Sequence, residues 1–98
     1  MIAARFLPDA EVELLKEIAY YSTAREGVGI KFQKSVEAAI SAAALNPKGG
    51  APASSGTRSR IVKGFPFCVV YRASDVELLI IAIVHHRRRP NYWSNRAV

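Results

Sequence analysis

The run His85-His86-Arg87-Arg88-Arg89-Pro90-Asn91-Tyr92-Trp93 gathers the side chains of this chain best suited to act on a phosphate. Histidine exchanges a proton near neutral pH, and a guanidinium offers paired N–H donors to a phosphate. Tyrosine and tryptophan rings stack on bases. RNA cleavage by attack of its own 2′-hydroxyl needs a base, an acid and positive charge on the phosphate, with no metal and no enzyme nucleophile. In that chemistry His86 acts as base or acid and Tyr92 assists. Arg60 and Arg88 clamp the phosphate, with Trp93 as a stacking surface. Each assignment has a structural competitor. Tyr92 and Trp93 more often cover the end of a core than stack on a base, Arg87 and Arg89 face solvent, and Arg60 and Arg72 pair with carboxylates.

Other chemistries lack their residues. No glycine-rich phosphate loop follows a strand, no Cys/His spacing suits zinc, and no Ser or Cys sits in a nucleophile motif. His85 and His86 are adjacent on a strand-like run, so they point to opposite faces and do not chelate one ion. Neither a metal nor a cofactor is expected.

The 98 residues allow one domain, 1–98, with a modest core; half of them are hydrophobic, too many for a disordered tail. The longest apolar run falls short of the roughly 18 to 20 residues that cross a membrane. Met1–Phe6 is too short, and too soon interrupted by Arg5 and Pro8, for a signal peptide. The lone Cys68 forms no internal disulfide and lies in an apolar run. A cytoplasmic location without membrane contact is therefore expected. The net charge of +6 is one-sided: residues 1–57 balance six basic against six acidic side chains, while residues 58–98 carry eight basic against Asp75 and Glu77. Such a field draws nucleic acid or an acidic protein.

The elements that must position these groups follow from periodicity. Ile2–Phe6 reads as an edge strand. Pro8 starts a helix, with Asp9 and Glu11 in its favourable first turn. Ala10, Leu14, Ile18 and Tyr21 form its apolar stripe, and Glu13 and Glu17 bracket Lys16 on other faces. Gly27-Val28-Gly29 breaks this helix, and Phe32, Val36, Ile40 and Ala43 or Ala44 mark a second, ended by Asn46-Pro47. Residues 48–57 read as a mobile loop. Residues 58–63 alternate, with Arg58, Arg60 and Val62 on one face. Gly64-Phe65-Pro66 turns the chain, Phe67–Arg72 forms a second strand, and 73–75 turn it again. Residues 76–84 are apolar on both faces, as in a central strand. The expected class is α+β: an N-terminal strand and a two-helix hairpin packed on one face of a C-terminal three-stranded antiparallel meander.

Phe65-Pro66-Phe67-Cys68-Val69-Val70-Tyr71-Arg72, followed by a strand ending in the His85–Trp93 run, resembles the RelE/ParE superfamily of bacterial toxins. The element order agrees along nearly the whole chain. The resemblance implies the toxin of a type II toxin–antitoxin system, a growth inhibitor of the kind that stabilises plasmids. Its expected partner is a cognate antitoxin with an acidic, partly disordered tail, held in a toxin–antitoxin hetero-oligomer. RelE-like members cut mRNA in the ribosomal A site; ParE-like members poison DNA gyrase. A RelE-type site uses basic residues on the first meander strand, an arginine on the second, an arginine after the last and a tail tyrosine. Arg58 and Arg60 match the first loosely, and Tyr92 matches the last. The second-strand arginine falls near Cys68, and the arginine after the last strand falls at His86, with Arg88 two residues on. The Phe-Pro-Phe hairpin and the His-x-Arg-Arg-x-Pro-x-Tyr-Trp end resemble ParE-type sequences. Gyrase inhibition without enzymatic activity is thus the first expectation. The alternatives are a ribosome-dependent endoribonuclease using His86 and Tyr92, and a non-toxic nucleic-acid-binding module.

Overall fold

A computed structural model describes residues 2–96. The chain runs β1 (Ala3–Phe6), α1 (Pro8–Ala24), α2 (Val28–Leu45), β2 (Ala51–Pro52), β3 (Arg58–Val62), β4 (Phe67–Ala73) and β5 (Glu77–His85), with single 3-10 turns on either side of β2. The sheet order is β1-β5-β4-β3-β2. β3, β4 and β5 form the expected antiparallel meander, and β1 joins it at the edge, parallel to β5, with Ala3 opposite Glu77 and Phe6 opposite Ile80.

Pro8 opens α1 and needs no amide partner there, and Asp9 and Glu11 place carboxylates in the first turn. The helical hairpin closes tightly because Gly29 lies against α1: a β-carbon there would sit 2.7 Å from the Ile18 carbonyl and overlap Ser22. Both helices cover one face of the sheet. Phe32 and Val36 of α2 pack with Val62, Phe67, Val69, Tyr71, Leu78, Ile80 and Ile83 in one core. The Phe65-Pro66-Phe67 turn is locked to the helices by its rings, which meet those of Tyr21 and Phe32 at centroid distances of 5.0 to 6.3 Å.

β5 departs from simple alternation. Val70 pairs with Ala82 and Tyr71 with Ile80, so Ile81 is an extra residue, a β-bulge. The bulge turns both Ile81 and Ala82 to the face away from the helices, while Ile80 and Ile83 stay on the helical face. Two apolar residues side by side need a cover, and Trp93 of the C-terminal tail supplies it, only 4% exposed against Val70, Ile81 and Ala82.

Residues 48–57 differ from the mobile loop expected of their composition. The short β2 pairs with the start of β3. Tyr71 donates to the Pro47 carbonyl at 2.7 Å, Arg58 Nη1 to the Gly50 carbonyl at 2.8 Å, and Thr57 Oγ1 to the Ser54 carbonyl at 2.6 Å. A β-carbon on Gly50 would overlap the Tyr71 hydroxyl and lie 2.9 Å from the Ser59 carbonyl. The small residues permit this close approach, so here they mark a tightly held segment. Among the described residues no helix is long and apolar enough to cross a membrane.

Candidate functional site

The post-β5 turn is fixed by backbone bonds: His86 N–H donates to the Pro66 carbonyl and Arg88 N–H to the His85 carbonyl, at 2.9 and 3.0 Å. This sets the His85–Arg89 segment beside the β3–β4 turn that carries Lys63. His85 keeps to the helical face, its ring 4.9 Å from that of Phe67. His86 lies on the other face, where its Nε2 is 3.3 Å from Cys68 Sγ. Burial pushes the Cys68 thiol above its usual range, so the pair rests with a protonated thiol.

Glu13 organises the tail. Its Oε1 accepts from the Ile83 amide at 3.0 Å and from Arg96 Nη1 at 2.9 Å. Its Oε2 accepts from the Tyr92 hydroxyl at 2.6 Å and from Arg96 Nη2 at 3.0 Å. β1 pairs with β5 only as far as Ile80, so the amide of Ile83 has no strand beside it on that edge, and the carboxylate takes its place. Arg96 also donates to the Ile81 carbonyl at 3.3 Å, and Asp9 stands 3.7 Å from its Nε. The Glu13 and Arg96 side chains are 16% and 17% exposed, so their bidentate pair is largely out of water, where such bonds are strong. Burial first, and the Glu13 hydrogen bond second, hold the Tyr92 hydroxyl well above the ordinary tyrosine range. Arg88 lies over the Tyr92 ring, 4.0 Å from its centroid.

The residues singled out for phosphate chemistry are therefore dispersed. Arg58 and Arg60 face the helices. Arg60 Nη2 donates to the Asn46 carbonyl at 2.8 Å, satisfying the C-terminal end of α2. Arg58 lines a cleft of about 490 Å³ with Lys48, Tyr71, Arg72 and Asp75. His86 stands on the opposite face of the sheet, and Tyr92 is tied to α1. Arg88 reaches Tyr92, and Trp93 is a core residue whose ring is not offered to a base. Of this set, Arg88 is brought onto Tyr92, which packs with the cluster that holds Trp93.

Glu13 and Arg96 are the functional-looking pair that sequence reading missed. Glu13 falls three residues after the buried Ala10 and one before Leu14, at the margin of the apolar stripe. That position was the available signal; its partner, 83 residues away, had none. Among the described residues no three His, Cys, Asp or Glu side chains assemble in a metal-binding group.

A helical hairpin on one face of a short meander, with a basic turn after the last strand, defines a RelE/ParE-type fold. It is similar to the structure of a chain from the chromosomal ParDE toxin–antitoxin system of P. aeruginosa. The TM-score is 0.63 at 20% identity, over 87% of this chain and 96% of that one. The family model for the ParE toxin of the type II toxin–antitoxin system parDE matches residues 4–90, and the chain belongs to that family. It is the toxin component of a type II toxin–antitoxin system. No curated protein matches it.

Proposed function

We propose that this toxin acts by inhibiting DNA gyrase, in the cytoplasm, and is not a nuclease. The observation that carries the reading is the commitment of the nuclease candidates to the fold. Arg60 caps α2 and Tyr92 binds Glu13, while the sheet separates both arginines of β3 from His86. A phosphate held by Arg60 would lie on the far side of the sheet from the only histidine offered to solvent on the outer face. The resemblance of the Phe65–Trp93 stretch to ParE-type sequences supports the same target.

A cognate antitoxin completes the proposal. The edge of β3 beyond β2 is open from Arg60 to Val62, and Ile61 on it is 70% exposed. Val12, Leu15, Tyr20 and Ile30 expose further apolar surface on the helical hairpin. A partly disordered acidic tail would cover such surface and offset the net charge of +6 as it folds. Saturating antitoxin tail should raise the melting temperature of the toxin markedly, by linkage; an unchanged melting curve would remove the antitoxin from the account.

Pulse-labelling of bacteria within minutes of inducing the toxin alone tests the target. DNA synthesis failing first is the expected result. Early arrest of protein synthesis with cut mRNA would instead establish ribosomal mRNA as the target.

A further inference from the structure

The three arginines that follow β5 are not absorbed by the fold in the same way. Arg88, although exposed, lies over the Tyr92 ring, and His86, Arg87 and Arg89 are exposed as well. The backbone bond from His86 to Pro66 brings this turn next to the β3–β4 turn, where Lys63 is also exposed. Two chain reversals thus present cations at one end of the sheet.

The two carboxylates of the basic half lie elsewhere. Asp75 and Glu77 are at the opposite end of β5, roughly 27 Å away for a strand of this length. That exceeds the screening length of about 8 Å at physiological salt. Of the nearer acids, Glu13 is already paired with Arg96, and Glu17 lines a groove with His85 and Arg88 on the helical face. Among the described residues Lys63, Arg87 and Arg89 form no ion pair.

We infer that Arg87, Arg89 and Lys63 form a contact for the phosphate backbone of duplex DNA. The inference rests on the gyrase reading for its setting, since gyrase works on duplex DNA, and adds that the toxin grips the nucleic acid as well as the enzyme. The chemistry of the surface selects this occupant. From His86 to Pro90 the turn is exposed and carries no large apolar side chain, so it lacks the anchors that an acidic peptide would use to fold onto it. Backbone phosphates need no such anchor: they are bound by displacing counterions. The contact is consequently indifferent to base sequence.

Fluorescence anisotropy of a labelled short duplex with purified toxin tests this without gyrase present. Three phosphate contacts give a log–log salt slope of about −2.7, or about a 40-fold loss of affinity between 50 and 200 mM salt. The R87A/R89A variant should fall to a slope of about −1, and R87K/R89K should keep most of the wild-type slope. Salt-independent binding, no binding, or an unchanged slope in R87A/R89A would overturn the inference. So would tighter binding of a poly-glutamate probe than of the duplex through the same two arginines, which would make the turn an acidic-peptide site. A wild-type toxin that binds the duplex in this way but leaves purified gyrase unaffected would remove the gyrase reading and leave the DNA contact standing.

Discussion

The Tyr92 hydroxyl sits 2.6 Å from a carboxylate that also holds Arg96 and a strand amide, so its removal leaves Glu13 with three of its four donors. Tyr92→Phe should cost about 1.5 kcal/mol, the scale of a hydrogen bond to a charged group, read by urea denaturation. Growth inhibition should persist in that variant, whereas a nuclease dependent on the hydroxyl would lose it. The raised hydroxyl pKa has a definite sign. The folded state holds this proton more tightly than the unfolded chain does. The stabilisation is complete below about pH 10, the unfolded value, and is lost as pH rises beyond it. The alkaline decline in stability should be shallower in Tyr92→Phe than in the wild type, as a pH series of denaturation curves will register. At this scale the sequence displayed the right residue types but not their partners. Tyr92 and Arg60 were visible as polar groups near a strand. Glu13 and Asn46, which claim them, are set by packing between distant segments.

Elements were more legible than contacts. Proline, glycine and the apolar stripes placed both helices and the meander, because those signals are local. The parallel pairing of β1 with β5 is not local, and neither is the bulge at Ile81, which shows only as a run of apolar residues too continuous to assign to faces. The bulge is what makes the tail necessary. Trp93→Ala would uncover Val70, Ile81 and Ala82 and should cost about 3–5 kcal/mol, enough to unfold much of a small domain at 37 °C; thermal melting will show it. Gly50→Ala forces a β-carbon into the Tyr71 hydroxyl and the Ser59 carbonyl, where one partner is backbone and cannot swing away. A loss of about 1–3 kcal/mol is expected in the same assay. Had residues 48–57 been a mobile loop, this substitution would be silent. Glu13→Gln should keep the fold but speed hydrogen exchange at the Ile83 amide, since a neutral amide oxygen holds both that N–H and Arg96 less firmly.

For the whole molecule, charge and topology agree. The sequence places all the excess positive charge after residue 57, and the fold carries part of it to the turn after β5 while turning Arg58 and Arg60 inward against α2 and its following loop. What the composition announced as a polyanion-binding half is thus a smaller exposed surface, set by which face of the sheet each arginine occupies. The family model spans most of the chain, so the toxin class rests on the whole fold and not on the basic motif alone. The proposed target of this toxin is gyrase. Purified gyrase, relaxed plasmid and ATP, titrated with the toxin, test it directly. Supercoiling should fail with toxin concentration and recover when the antitoxin is added. Undiminished supercoiling at saturating toxin, alongside cleavage of mRNA on purified ribosomes, would contradict it.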